Sequence, residues 1–156
     1  NPGAAWPNKR WPPERFGEVA RRVRDAYGWT SIVLWGPGEA DLAAAVVAAS
    51  GGAAVSAPQT TFNDVLALAG AARVMVSGDT GPLHLAAAAG CPIVALFGPT
   101  TPERNGPWDD RDVSISQYAQ CACHFKRVCR QPDRWCLADI QVDQVVAAIR
   151  QRVTPA

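Results

Sequence analysis

The sequence predicts a doubly wound α/β domain with a mostly parallel sheet. Three observations carry that prediction. Apolar runs at 31–35, 73–77 and 92–97 are rich in β-branched residues and do not alternate with polar ones, as strands buried on both faces require. Segments of helical period separate these runs, so strand and helix alternate along the chain. Glycine, proline, threonine and aspartate gather where the runs end, at "GPGE", "SGDTG" and "GPT".

Taken in order, "PPERFGEVARRVRDAYG" opens on a proline pair and places Phe16, Val19, Val23 and Ala26 at helical spacing, with Gly28 beyond them. Proline in the first turn and glycine past the last is the asymmetry expected of a helix. "SIVLW" (31–35) is a strand, followed by a helix from about Glu39 to Ala49 and a strand candidate in "AAVSA". Thr61 stands three residues before Asp64, a pattern that resembles a capping box and starts the next helix. "RVMVS" (73–77) and "PIVALF" (92–97) are strands joined through the helix "GPLHLAAAAG". The stretch 98–136 is turn-rich and bears cysteines; "DIQVDQVVAAIRQRV" closes the chain as an amphipathic helix.

Composition narrows the function. At 156 residues the chain suits one domain with a sizeable core. Fifteen Lys and Arg against 14 Asp and Glu give a net charge of +1, which argues against a nucleic-acid binder. No apolar run approaches the roughly 20 residues that span a bilayer. The first residues show no basic segment followed by an apolar one. "NPGAAWP" reads as a strand-to-loop exit, so the chain is expected to be a piece of a longer protein, cut at or just after a strand.

In open α/β sheets ligands sit beyond the carboxyl ends of the strands, where "SGDTG" and "GPT" fall. Asp79 or Thr80 can cap the helix that follows, and Pro82 occupies a position that needs no N–H. Gly81 lets a ligand approach the backbone amides, which with the helix dipole form an anion site suited to phosphate. His84 lies in the first turn and can donate a further hydrogen bond. Asp79 would repel a phosphate, so its expected role is to orient the loop through backbone amides. The plain alternative is a routinely capped helix with a packed histidine; several polar groups and glycines converging at one sheet edge favour a site.

"SGDTGPLHLAAAAGCPIVALFGPTTPERNGPW" resembles the signature of glycosyltransferase family nine, the ADP-heptose:lipopolysaccharide heptosyltransferases. "NPGAAWPNKRWPPERF" is similar to the opening of that family's C-terminal domain, and "CACHFKRVC…WCLADI" to its cysteine-bearing tail. The resemblance implies a GT-B enzyme with two Rossmann-like domains, of which residues 1–156 are the donor-binding one. It implies an inverting, metal-independent transfer without a cofactor, from an ADP-sugar to lipopolysaccharide core. It places the acceptor site and the catalytic base in an N-terminal domain, and the enzyme in the bacterial cytoplasm, with room for peripheral contact at the inner membrane. Residue by residue, Lys9 matches the lysine that holds the donor diphosphate. Asp79, Thr80, Gly81 and His84 match the phosphate-proximal motif. Glu39 matches the acid on the ribose hydroxyls, and Thr60 the adenine contact. Ala5 stands where some members carry a hydroxyl. In this scheme Lys9, His84 and the helix amides stabilise the leaving diphosphate.

Taken singly, Lys9 also reads as a solvated lysine and Glu39 as a helix-start acid. A non-catalytic nucleotide-binding module, or a GT-B transferase using another nucleotide sugar, fits the same residues. Cys121, Cys123, Cys129 and Cys136 follow C-x-C-x5-C-x6-C, with Cys91 apart in the core. A C-x-C start is unlike the usual zinc spacing, so buried thiols or a disulfide are expected rather than a metal.

Overall fold

The computed structural model describes residues 1–107, 109–129, 131 and 136–154. Parallel strands and flanking helices give the expected α/β architecture. α1 (Pro13–Tyr27) begins with proline at its first position and ends at Gly28, whose φ of 71° is the left-handed conformation that a glycine adopts without strain. β1 (Ser31–Val33) leads to α2 (Ala40–Ala49), and β2 (Ala54–Ser56) to α3 (Phe62–Ala71). Thr61 and Asp64 form the full reciprocal capping box at the start of α3. β3 (Met75–Gly78), α4 (Gly81–Ala88) and β4 (Ile93–Phe97) follow. α6 (Val142–Val153) comes after a short α5 (Pro102–Asn105) and β5 (Val113–Ser116).

All strand pairs are parallel, but the pairing falls into two groups. β1 pairs with β2, Ser31 opposite Ala54; β3, β4 and β5 form the other sheet in that order, with Met75 opposite Ile93 and Val94 opposite Val113. Every residue of β4 is buried. Val94 and Leu96 face α1, α2 and α6, whereas Ile93, Ala95 and Phe97 face α3 and α4. This is why the run 92–97 is apolar throughout: each face of the strand has its own helical layer. Helix contacts are close where side chains are small. A Cβ on Gly17 would collide with Ala49 of α2. Trp11 anchors the approach to α1, its ring edge-on to Phe16 at 5.0 Å and its indole N–H donating to the Ile140 carbonyl at 3.0 Å.

The structure departs from the sequence reading in the stretch 98–136, of which Trp108, Arg130 and 132–135 lie outside the described residues. What reads as turns contains β5, an edge strand of four residues. Val113 and Ile115 pack on the core while Ser114 and Ser116 face out. No helix among the described residues is long and apolar enough to cross a membrane.

Candidate functional site

The site is assembled at the carboxyl ends of β3 and β4. A 3-10 turn, Pro7–Lys9, lies over the end of β3 so closely that a Cβ on Gly78 would collide with the Lys9 carbonyl. That approach puts the Lys9 ammonium on Asp79, 2.6 Å from Oδ2 and 3.3 Å from the Asp79 carbonyl. Oδ2 also accepts from Thr100 Oγ1 at 2.7 Å and Asn105 Nδ2 at 3.1 Å. On the other oxygen, Oδ1, stands His84 Nε2 at 3.5 Å. Asp79 is 6 % exposed. Burial by itself would raise its pKa, but donation from Lys9, Thr100 and Asn105 together with the Lys9 charge outweighs it and holds the carboxyl below its usual range.

Asp79 therefore works differently from the role expected of it. Among the described residues no backbone amide donates to its carboxylate, which instead gathers side chains from three other segments. Nor does Thr80 cap α4 with its hydroxyl, although it occupies the N-cap position with extended φ and ψ of −146° and 167°. Its Oγ1 is instead tied to Ser77 Oγ at 3.3 Å and Asn1 Nδ2 at 3.2 Å. The start of α4 is consequently left without a side-chain cap, with Gly81 exposed and no atom near the place a Cβ would take. An anion can reach those amides. The His84 side chain, 47 % exposed, rises beside them.

Lys9 has two of its three N–H directions occupied by Asp79, which leaves one donor for a ligand. Its ammonium also lies 4.5 Å from the Trp6 ring centroid, and the Arg127 guanidinium stands 5.8 Å from the same ring. The cysteine-bearing loop is fastened against this side. Phe125 N donates to the Pro99 carbonyl at 2.8 Å, and Asn8 Nδ2 to the Lys126 carbonyl at 2.9 Å.

Of the residues singled out in the sequence, Lys9, Asp79, Thr80, Gly81 and His84 come together. Glu39 sits at the neighbouring strand end, before α2. Its Oε2 accepts from the Gly36 amide at 2.9 Å, its Oε1 is 3.9 Å from Arg10, and its carboxylate fills the space a Cβ on Gly3 would need. Thr60 lies on the loop before α3, and no hydrogen bond or ion pair among the described residues joins it to Lys9 or Asp79. The sequence does not single out Thr100 or Asn105; Thr100 belongs to the turn "GPT" at a strand end, and Asn105 carries no such signal. Trp6 had none.

Cys121, Cys123, Cys129 and Cys136 are free thiols, with the Cys121 and Cys123 sulfurs 3.6 Å apart. Cys121, Cys129 and Cys136 line a cavity of about 220 Å³ together with Gln120, Gln131 and Asp139. Among the described residues no cluster of His, Cys, Asp and Glu is placed to hold a metal ion. Burial pushes the thiols of Cys121, Cys129 and Cys136 up, and that of Cys91 to about 11, so they are protonated and poorly nucleophilic at neutral pH.

Comparison with known proteins adds the following. The profile of glycosyltransferase family 9 (heptosyltransferase) matches residues 1–134. Lipopolysaccharide heptosyltransferase 1 of Pseudomonas aeruginosa is 34 % identical over 128 residues, covering 81 % of this chain and 36 % of that protein. Lipopolysaccharide heptosyltransferase 2 of Escherichia coli is 34 % identical over 113 residues, covering 68 % of this chain and 32 % of its own length. The chain thus spans about a third of the length of these relatives. Among solved structures, the family 9 glycosyltransferase of Veillonella parvula superposes with a TM-score of 0.82 at 25 % identity, covering 98 % of this chain and 44 % of that one. An E. coli heptosyltransferase solved with ADP superposes with a TM-score of 0.77 at 22 % identity, covering 97 % of this chain and 42 % of the other.

Proposed function

Because the chain belongs to glycosyltransferase family 9, the heptosyltransferases, we propose that it is the donor-binding domain of an inverting, metal-independent enzyme that transfers heptose from ADP-heptose to lipopolysaccharide core. The observation that carries this reading is the Lys9–Asp79–His84 group beside the open amides at the start of α4. An N-terminal domain supplies the acceptor site and the general base, and the whole enzyme works in the cytoplasm, with room for peripheral contact at the inner membrane.

The chemistry follows from charge. Breaking the bond between the sugar and the diphosphate places negative charge on the leaving phosphate. Lys9, with its free N–H direction, meets that charge, and the α4 amides receive it with donors already aimed outward. His84 adds a third donor from the first turn. Preorganised donors of this kind act most strongly where charge grows, toward the transition state. Asp79 touches none of the reacting atoms in this scheme; it fixes where Lys9 and His84 stand. Glu39 and Thr60 are assigned to the ribose hydroxyls and the adenine.

The relatives named as lipopolysaccharide heptosyltransferases, and the E. coli neighbour solved with ADP, support the choice of donor and acceptor. Calorimetric titration of the full-length protein with ADP, UDP and GDP tests it. ADP is expected to bind the tightest. Equal affinity for the three, or a preference for UDP or GDP, would remove ADP-heptose as the donor.

A further inference from the structure

The fixed charges at the candidate site cancel. Lys9 stands 2.6 Å from Asp79 Oδ2, and the Asp79 pKa lies below the usual carboxylate range, so both groups are ionised at neutral pH. Opposite charges this close present little net field to a ligand beside them. Arg10 is spent as well: its Nε donates to the Ala4 carbonyl at 2.8 Å, and its guanidinium lies 3.9 Å from Glu39. His84 carries charge only when protonated. A diphosphate at the α4 amides therefore meets hydrogen-bond donors, but its charge has no permanent uncompensated cation among these residues.

One cation close by is unspent. The Arg127 guanidinium lies 5.8 Å from the centre of the Trp6 ring, and the same ring carries the Lys9 ammonium at 4.5 Å. Both distances fall within the range at which a cation is held on an aromatic face. Arg127 is exposed, and among the described residues no carboxylate pairs with it. Its charge and its fork of five N–H donors, matched in shape to phosphate oxygens, are free for a ligand. Arg104 is exposed too, but it lies over the Phe125 ring at 5.4 Å and not on the ring that Lys9 uses.

The cysteine-bearing loop fixes where Arg127 stands. Cys121 and Cys123 are buried at its base, and Cys123 Sγ accepts from Asn8 Nδ2 at 3.5 Å. The two residues before Arg127 are both fastened by their backbones: Phe125 N to the Pro99 carbonyl, and the Lys126 carbonyl to Asn8 Nδ2. Asn8 precedes Lys9 and Pro99 precedes Thr100, so the loop is tied to the same two turns that build the site. Phe125 has a φ of 54°, the left-handed region, and it is the only non-glycine residue described there. A bulky side chain keeps that conformation only where its surroundings hold it, as the bonds to Pro99 and Asn8 do here.

We propose that Arg127 is a further catalytic residue of the sugar transfer, touching the donor diphosphate and stabilising the charge that grows there; this rests on the donor-binding reading given above. The bond from the anomeric carbon to the diphosphate oxygen breaks with its electron pair on that oxygen. The acceptor hydroxyl oxygen forms the new bond to the carbon, and its proton passes to the general base of the N-terminal domain. Lys9, already balanced by Asp79, contributes a directed N–H to the departing diphosphate, and Arg127 contributes the net positive charge. The cysteine loop is the mount that carries this cation to the site.

Calorimetry of the full-length protein with ADP, inorganic pyrophosphate and adenosine, beside transfer rates, tests the proposal. Arg127→Ala is expected to weaken ADP and pyrophosphate by about 10-fold or more and to lower the transfer rate by about 10- to 100-fold, the range of one charge-assisted hydrogen bond. Adenosine should bind the variant and the parent alike. Arg127→Lys keeps the charge without the fork and should fall between them. ADP affinity should also depend less on ionic strength in Arg127→Ala, because one exposed charge no longer contributes. Pyrophosphate has no base, so its result stands whichever nucleotide the donor carries. ADP and pyrophosphate affinities and a transfer rate all within about twofold of the parent would overturn the proposal. An equal loss for adenosine would overturn it too, since Arg127 would then only prop the loop.

Discussion

The ammonium of Lys9 rests 2.6 Å from Asp79 Oδ2, and this one contact ties the 3-10 turn before α1 to the end of β3. The Asp79 side chain is 5 % exposed and that of Lys9 13 %, so neither charge is well hydrated. A pair in that setting costs much when one member is removed, since the other is left buried without a counter-charge. Asp79→Asn is therefore expected to lower stability by about 2–4 kcal/mol, because Lys9 loses its partner and Thr100 an ionised acceptor. In melting temperature this is roughly 5–15 °C for a chain of this size. The pH dependence has a definite sign. The Asp79 pKa is depressed in the fold, so the stability it contributes is present above the ordinary carboxylate value of about 3.9 and is lost as the pH falls through the depressed one. Asp79→Asn should flatten that acid limb. Denaturant unfolding of both proteins between neutral and acid pH measures this, and an unchanged limb would show that Asp79 is not the group responsible.

How much of this was legible in the sequence depends on the range of the contact. β4 was legible because two helical layers demand an apolar residue at every position, and that demand is written in consecutive letters. The anion site was legible because glycine, proline and threonine at a strand end follow from the local geometry of a strand-to-helix turn. Asp79's partners were not. Thr100 and Asn105 reach it from 21 and 26 residues away, across two strand ends. Nothing local distinguishes them from ordinary loop residues. β5 was hidden because four residues with two serines, set in a turn-rich stretch, carry too little pattern to separate an edge strand from a loop. Glu39 was legible as an acid at a helix start, but its hold on the Gly36 amide and its packing over Gly3 depend on how β1 and the Asn1–Ala5 segment lie together.

Lys9 offers a direct way to separate the phosphates from the nucleoside. Its ammonium faces the candidate diphosphate position, while Glu39 and Thr60 are assigned to the ribose and adenine. Lys9→Ala should weaken ADP binding by roughly 10- to 100-fold, the range of one charge-assisted hydrogen bond. Adenosine, which has no phosphate, should bind the variant and the parent alike. Calorimetry of both ligands with both proteins gives the comparison. An equal loss for adenosine would mean that the substitution disturbs the fold around Asp79 rather than a phosphate contact.

His84 is the sharpest case, because its neighbour argues both ways. Asp79 Oδ1 at 3.5 Å is close enough to hold the ring in place and also competes with any phosphate for its N–H. The side chain is 47 % exposed on the first turn of α4, so it can turn from the carboxylate to an anion at the helix start without repacking the core. If it donates to the leaving diphosphate, its contribution grows with the charge, and turnover suffers more than affinity when it is lost. His84→Ala is therefore expected to lower the transfer rate of the full-length enzyme by about 10- to 100-fold, as for one charge-assisted donor, with a smaller change in ADP affinity. His84→Gln keeps a neutral donor and should fall between the two. Because the side chain is half exposed, neither substitution should move the melting temperature by more than about 2 °C, in keeping with a surface change of a few tenths of a kcal/mol. Transfer rates, ADP affinities and melting curves of the three proteins decide the matter. A His84→Ala enzyme that transfers sugar at the parental rate would make His84 a bystander to Asp79, and would leave Lys9 and the α4 amides to carry the leaving group alone.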